Sequence, residues 1–230
     1  MKCIAHIRTA FPTKFGIPHQ SGCIDSLPGK IIMEPEYRRE EAFRGLDEFS
    51  HIWLLWEFSE TVREQWSPTV RPPRLGGNTR KGVFSTRSPF RPNPIGLSCV
   101  KLRKIEIDAR LGPVLYVEGV DLMDNTPIYD IKPYLPAFDS HPSAVAGFSE
   151  RIKETGLKVV FPEELLERVP VPLREALLDV LTSDPRPRYQ DDPERVYGMP
   201  FGEQDIRFRV QDRVLHVMEV NPYSSGNHIF

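Results

Sequence analysis

Short apolar runs, each bounded by glycine, proline or asparagine, recur through the first half of the chain and limit what it can fold into. Cys3–Thr9 alternates apolar and polar residues, and His51–Phe58 is apolar but too short for a helix of its own. Gly82–Thr86, Leu97–Ile107 and Pro113–Leu122 are rich in β-branched or aromatic residues. Strands that recur without regular intervening helices predict an antiparallel barrel or sandwich.

Helical patterns are rare before Pro136 and common after it. In the first half, apolar residues among charged ones predict one helix at Tyr37–Phe49. Ala137–Ser143 has the composition of a linker. Beyond it, we predict helices at Ala144–Thr155, Glu163–Val169 and Pro172–Thr182. Asp205–Val210 and Val214–Val220 are predicted to form a closing hairpin. The expected organisation is a mainly β domain over residues 1–137 and a small α+β domain over 138–230, with a loose tail from about Asn221.

Composition excludes several classes of protein. No stretch approaches the roughly 18–20 consecutive apolar residues of a membrane span, and the start lacks the apolar core of a signal peptide. Cys3, Cys23 and Cys99 are odd in number and lack metal-ligand spacing, which is typical of thiols in a reducing compartment. The chain is therefore expected to be cytoplasmic.

The net charge of −2 hides a basic stretch. No acidic residue lies between Gln65 and Ile105, whereas the stretch holds the basic residues Arg71, Arg74, Arg80, Lys81, Arg87, Arg91, Lys101, Arg103 and Lys104. A local positive field can bind phosphates even on a mildly acidic protein, because screening leaves mainly the nearby charges to act. A solvated loop face explains the same composition equally well.

The segment Gly82–Ser98 stands out within this stretch. A strand leads into a loop with three prolines, which fix φ and make the loop stiff. Arg87 and Arg91 present planar forks that suit a carboxylate or a phosphate, and stiffness matters where such groups must be held for a ligand. The alternative is a rigid crossover whose arginines pair with acids at the sheet edge.

A second dense segment, Gly119–Pro136, places three aspartates and a lysine along an apolar strand and turn. Carboxylates flanked by apolar residues, such as Asp121 and Asp130, require a partner or a ligand. A turn aspartate and a buried ion pair between Asp130 and Lys132 would account for them without a ligand.

The familiar cofactor and metal motifs are absent from the sequence. There is no G-x-G-x-x-G, no phosphate-cradling loop and no paired Cys-x-x-Cys, and the six histidines are scattered. We therefore expect neither a Rossmann-type nucleotide site nor a metal.

The two dense segments, GVFSTRSPFRPNPIGLSCV and GVDLMDNTPIYDIKPYLP, resemble the TsaA/TrmO family of transfer-RNA adenosine methyltransferases. VRPPRLGGN, RGLDEFSHIWLL and FGIPHQSG also resemble it. The resemblance implies a single-sheet β-barrel with a small C-terminal domain, working as a homodimer. It implies transfer of a methyl group from S-adenosylmethionine to the exocyclic amine of a threonylcarbamoyl-adenosine next to the anticodon. Asn125 stands where the family usually has glycine, which a left-handed turn tolerates.

Family cofactor contacts map onto several separate parts of this chain: Gln20, Ser21, Gly22, Ser59, Glu60, Arg87, Leu97, Glu118, Gly119, Val120 and Asp121. Contacts at Ser59, Glu60 and Glu118 are expected through the backbone. A base that removes a proton from the target amine would help, and the sequence leaves Asp121, Asp130 and His51 as candidates. Substrate or RNA contacts are expected at Arg71, Arg74, Arg80, Arg91, Asn93, Arg186 and Arg188.

Three alternatives stay open from the sequence. Ser183–Tyr189, which holds the last two of those arginines, fits a helix stop as well as an RNA contact. A non-enzymatic RNA-binding barrel would use the basic stretch with Trp66, Phe84 and Phe90, but it leaves Gly119–Pro136 unexplained. A methyltransferase that acts on a small molecule is the third.

Overall fold

The N-terminal part of the chain is a closed six-stranded β-barrel. The computed structural model describes residues 1–61, 65–72, 79–151, 156–186 and 192–223. The barrel consists of β1 (Ala5–Thr9), β2 (Pro28–Met33), β3 (His51–Glu57), β6 (Ile95–Asp108), β7 (Gly112–Glu118) and β8 (Thr126–Pro133). They close in the order β1-β2-β7-β6-β3-β8, and every neighbouring pair is antiparallel. Of the two predicted architectures, the structure is therefore the barrel and not the sandwich.

Strict alternation of side chains explains why these strands were visible in the sequence. Along β3, Ile52, Leu54 and Trp56 are buried inside the barrel, whereas the residues between them face outwards. The chain between β3 and β6 forms a separate two-stranded ribbon, in which β4 (Thr69–Val70) pairs with β5 (Lys81–Gly82).

The C-terminal part is a four-stranded sheet with short helices, as expected. Its elements are α1 (Pro136–Asp139), β9 (Lys158–Val160), α2 (Glu163–Leu166), α3 (Val171–Thr182), β10 (Tyr197–Phe201), β11 (Gln204–Gln211) and β12 (Val214–Pro222). The sheet order is β10-β11-β12-β9, with β9 parallel to β12. The predicted hairpin is confirmed, and Asp212 and Arg213 form its two-residue turn with φ of 48° and 64°.

The predicted helix at Tyr37–Phe49 is wrong. The segment forms three separate 3-10 turns, at Pro35–Tyr37, Glu40–Phe43 and Leu46–Glu48. Gly45, with φ of 82°, interrupts the segment because a left-handed residue cannot continue a right-handed helix.

Three further elements differ from the sequence expectation. The strand expected at Gly82–Thr86 ends at Gly82 and becomes a 3-10 turn, in which the Ser85 and Thr86 hydroxyls donate to backbone carbonyls. The helix expected at Ala144–Thr155 is a 3-10 turn at Gly147–Arg151, and its last four residues lie outside the described ranges. The linker expected at Ala137–Ser143 instead starts within the short helix α1.

One hydrophobic core runs through both parts of the chain. Buried residues of the barrel and of the C-terminal sheet form a single contiguous cluster, to which α3 contributes Ala176, Leu177, Val180 and Leu181. Asn125 adopts φ of 62°, which confirms the left-handed turn expected there. Within the described residues, no helix has the length and apolar character needed to cross a membrane.

Candidate active site

A cavity of about 1020 Å³ opens at one end of the barrel. Its walls come from the connection between β1 and β2, the end of β3, the loop before β6 and the segment before β8. Its polar lining consists of Lys14, His19, Gln20, Glu57, Ser59, Glu60, Arg87, Arg91, Asn93, Asp121 and Thr126. Its apolar lining includes Ile17, Trp56, Phe58, Phe84, Ile95, Leu97 and Met123. A cavity of this size and mixed character suits a small molecule with both charged and aromatic parts.

Aromatic rings form one wall of the cavity. Trp56, the last inward-facing residue of β3, lies 4.2 Å from the ring of Phe58, measured between centroids. Gly96 on the neighbouring strand lies directly against the indole, and a Cβ atom there would come within 3.0 Å of three indole carbons. The absence of a side chain at Gly96 therefore makes room for Trp56.

Asp121 is held by a chain of hydrogen bonds. The Trp56 indole N–H donates to Ser98 Oγ at 2.9 Å, and the Ser98 hydroxyl donates to Asp121 Oδ1 at 2.6 Å. Burial raises the pKa of Asp121, although the Ser98 hydrogen bond and the charge of Arg87 act in the opposite direction. A carboxyl that lines a cavity with a raised pKa is suited to accept a proton.

The segment carrying Gln20 is fixed to the end of the barrel by three contacts. The Arg87 guanidinium donates to Gln20 Oε1, and the Cys99 N–H donates to Ser21 Oγ at 3.0 Å. The Gly22 N–H donates to the Gly119 carbonyl at 2.9 Å, and both glycines have positive φ. These turns bring together positions that are almost 100 residues apart in sequence.

The structure brings eight of the eighteen expected site residues to one cavity. Among the expected cofactor and substrate positions, the residues that line the cavity are Gln20, Ser59, Glu60, Arg87, Leu97, Asp121, Arg91 and Asn93. Ser21, Gly22, Gly119 and Val120 do not line the cavity themselves, but they are close in sequence to Gln20 and Asp121, which do. The Glu118 side chain instead forms ion pairs with Arg103 at 3.2 Å and with Lys101 at 3.9 Å.

The three candidate bases are in different environments. Asp121 lines the cavity, as described above. Asp130 is paired with Lys132 at 2.9 Å, and both side chains are largely exposed, so the pair is not the buried one considered from the sequence. His51 begins β3, six residues from the cavity-lining Glu57, and its Nδ1 lies 2.9 Å from Ser50 Oγ. The geometry therefore favours Asp121.

The basic residues of this stretch lie in different environments. Lys101, Arg103 and Lys104 pair with Glu118 and Glu106, which fits the structural alternative for this part. The ribbon residues Arg71 and Arg80 are exposed, and Arg80 Nη1 donates to Thr69 Oγ1 at 3.0 Å. Arg91 Nη1 donates to the Thr86 carbonyl at 3.1 Å inside the cavity lining. Arg74 and Arg188 lie outside the described residues.

Arg186 is held within the C-terminal part. Its guanidinium makes two hydrogen bonds to the carboxylate of Asp184, at 2.8 and 2.9 Å, and its side chain is only 11% exposed. Asp184 itself has φ of 58°, directly after α3 ends at Thr182. Within the described residues 183–186, this geometry fits the expected helix stop, and residues 187–189 of the segment lie outside the described ranges.

Sequence reasoning missed two groups of polar residues. The Tyr129 hydroxyl donates to Glu57 at 2.6 Å, and the carboxylate raises the pKa of Tyr129 to about 12. The side chains of Cys3, His6 and Glu34 offer ligand atoms within 4.8 Å of one another, outside the cavity lining, and His6 already pairs with Glu34 at 2.7 Å. Glu57 is 72 residues from Tyr129 and His6 is 28 residues from Glu34, so that no sequence spacing reveals either group.

The fold and the cavity together define a β-barrel protein with a polar, aromatic-walled binding site at one end of the barrel. Comparison with known proteins makes the assignment specific. Residues 6–140 match the tRNA-methyltransferase O N-terminal domain, and residues 154–223 match the TrmO C-terminal domain. The chain therefore belongs to the TrmO family.

Relatives and solved structures agree with this assignment. The tRNA (adenine(37)-N6)-methyltransferase of Escherichia coli K12 is 39% identical over 227 residues, which cover 95% of this chain and 96% of that protein. The enzyme of the same name from Eikenella corrodens is 46% identical over 71% of this chain and 92% of that protein. The crystal structure of TrmO from Pseudomonas aeruginosa superposes with a TM-score of 0.76 at 31% identity, covering 96% of this chain and 95% of that one.

Proposed function

We propose that this protein transfers a methyl group from S-adenosylmethionine to the exocyclic amine of adenosine 37 in transfer RNA. We further propose that the target adenosine already carries a threonylcarbamoyl group. The names of the relatives support the reaction. The observation that carries the proposal for this chain is the cavity in which Asp121, Arg87 and an aromatic wall meet.

The lining residues fit such a cofactor. S-adenosylmethionine supplies an electrophilic methyl group on a sulfonium sulfur. The Arg87 fork suits its carboxylate, and the nearby carboxylates of Glu57 and Glu60 suit its ammonium group. Trp56 and Phe58 offer an apolar face for its adenine ring. Holding two reactants in line can contribute about 7–11 kcal/mol, so positioning by these walls is the largest expected contribution.

We propose that Asp121 acts as the base. Its carboxylate would accept the proton of the target amine, while Ser98 holds the Oδ1 atom at 2.6 Å. The raised pKa supports this role, because proton transfer is most effective when the pKa of the base approaches the working pH.

Arg71, Arg80, Arg91 and Asn93 are proposed to contact the RNA or the threonyl carboxylate. Arg71 and Arg80 are exposed, as phosphate contacts require. Replacing both with alanine should reduce the slope of log affinity for transfer RNA against log salt by about 1.4–1.8 in magnitude, from the loss of two phosphate contacts. Filter binding at several salt concentrations measures this slope.

Arg110→Ala is a matched control for that measurement. Arg110 lies in the turn between β6 and β7, at the far end of β6 from the cavity. The control should leave the salt slope unchanged. An unchanged slope in the Arg71 and Arg80 double variant would remove both residues from the RNA interface.

Calorimetry with S-adenosylmethionine tests the proposed function against the alternatives. A methyltransferase releases or absorbs heat on binding the cofactor, whereas a non-enzymatic RNA-binding barrel shows none. A small-molecule methyltransferase would bind the cofactor but leave transfer RNA unmodified in a methylation assay.

We also propose that the chain works as a homodimer in the cytoplasm, where unmodified transfer RNA is found. The domain boundary is proposed near residue 137. The two family matches, which end at residue 140 and begin at residue 154, support a boundary close to this position. Size-exclusion chromatography with light scattering tests the dimer.

A further inference from the structure

The connection between β1 and β2, residues 10–27, forms one wall of the cavity. It contributes Lys14, Ile17, Pro18, His19 and Gln20 to the lining. At several points along its length, this connection also contacts the C-terminal part of the chain. Loops of this length are normally mobile, and ordering them costs free energy when a ligand binds.

The first attachment is at the beginning of the connection. The Gly202 N–H, just after β10, donates to the Ala10 carbonyl at 2.7 Å. The ring of Phe11 packs edge-on against Phe201 with centroids 5.4 Å apart, and both side chains are fully buried. Edge-on aromatic pairs of this kind contribute beyond the area they bury.

The second attachment lies closer to the cavity. Gly16 packs against Met199 of β10 so closely that a Cβ atom at Gly16 would lie 2.5 Å from the Met199 sulfur. Met199 is completely buried, and Gly16 has φ of 84°. Only three residues separate Gly16 from Gln20, the partner of Arg87. At the end of the connection, the Ser26 hydroxyl donates to Asp179 on α3.

We infer that Met199 and Phe201 are positioning residues for the cofactor. The C-terminal sheet holds residues 10–27 against the cavity and thereby sets the affinity for S-adenosylmethionine before any RNA binds. This inference rests on the proposed function, and it assigns the C-terminal part a role in the cofactor site that is separate from RNA recognition. A substitution in the sheet that weakens its contact with residues 10–27 should therefore weaken cofactor binding, although every residue that lines the cavity is kept.

Met199→Ala tests the inference in the full-length protein. The shorter side chain leaves a gap beside Gly16, so that residues 10–27 are held less firmly. We expect the Kd for S-adenosylmethionine to rise roughly tenfold, which is within the range typical of coupling between linked sites. The KM for S-adenosylmethionine should rise with it, whereas the KM for transfer RNA should stay within about twofold of the unmodified enzyme. Met199→Leu, which conserves volume, should restore tight binding.

Leu215→Ala is the matched control. Leu215 is equally buried in the same sheet, but it pairs with Val159 and Val210 at the end of the sheet opposite Phe201. Both alanine variants should lower the melting temperature, and only Met199→Ala should change the Kd. Equal weakening in both variants, or no weakening in Met199→Ala, would overturn the inference.

Hydrogen exchange separates failure of the inference from failure of the proposed function. Without any ligand, peptides covering residues 12–22 should exchange faster in Met199→Ala than in Leu215→Ala. If the unmodified protein bound no S-adenosylmethionine, the proposed function would fail, but this exchange result would still decide whether the sheet holds the connection. Equal exchange in the two variants would refute the inference.

Discussion

Asp121→Asn should lower the rate of methyl transfer by about 10²–10⁴-fold, the contribution typical of a positioned base. The cofactor should still bind, because asparagine keeps the shape of the side chain and can accept the Ser98 hydrogen bond. Single-turnover methylation with saturating transfer RNA measures the rate, and calorimetry measures the Kd for S-adenosylmethionine. A rate within about threefold of the unmodified enzyme would exclude Asp121 as the base.

The same substitution should stabilise the fold. Burial raises the pKa of Asp121 above its usual value, so the folded state binds this proton more tightly than the unfolded state does. Stability from this group is therefore greatest at low pH and is lost as the pH rises through the folded pKa. At pH 7 the buried charge is a cost that asparagine removes, and the melting temperature should rise. The difference between the two proteins should shrink as the pH falls towards 4, close to the ordinary aspartate pKa of 3.8.

Asp130→Asn is the control for the chemistry. Asp130 is the other candidate carboxylate of the same segment, but it pairs with Lys132 outside the cavity lining. An exposed pair of this kind contributes little, so that both the rate and the stability should stay near those of the unmodified enzyme. If Asp130→Asn lost the activity instead, the assignment of Asp121 would be wrong.

Gly96→Ala should have the largest effect on the fold of the site. The added methyl group would lie within 3.0 Å of three carbons of the buried Trp56 indole, and Trp56 cannot move without breaking its bond to Ser98. Overpacking of this kind costs about 1–3 kcal/mol, or more where the neighbour is rigid. We expect lower stability in urea and loss of cofactor binding, because Trp56 forms the cavity wall.

Gly82→Ala is the matched control for this steric argument. Gly82 has φ of −58°, and its added Cβ would have only Ser85 Oγ as a neighbour, at an ordinary 3.6 Å. Its free energy of unfolding should change little. Equal destabilisation by the two substitutions would contradict the close contact between Gly96 and Trp56.

The sequence predicts the barrel strands well and the connections poorly. Strands such as β3 and β6 alternate buried and exposed residues along most of their length, and this period is visible in one dimension. The segment Tyr37–Phe49 has an equally suggestive helical pattern, but the left-handed Gly45 breaks it into 3-10 turns. Local conformation at one residue thus overrides a periodic pattern.

The sequence points to the cavity-lining residues of the two dense segments, but not to those that neighbouring strands bring together. Arg87 and Asp121 stood out because their segments combine proline, charge and apolar residues without an evident structural need. Trp56 and Phe58 belong to the apolar run His51–Phe58, and only the barrel geometry shows that they line the cavity. The contact between Gly16 and Met199 joins positions over 180 residues apart, which no pattern in a single sequence reveals.

The most direct test is to incubate the purified protein with S-adenosylmethionine and with transfer RNA from a strain that lacks its gene, and then to analyse the digested nucleosides by mass spectrometry. The proposed function predicts that threonylcarbamoyl-adenosine is converted to a form with one additional methyl group on its exocyclic nitrogen. It also predicts that the conversion fails when the cofactor is omitted. Threonylcarbamoyl-adenosine that stays unmethylated at saturating S-adenosylmethionine, or a methyl group found on another nucleoside, would contradict it.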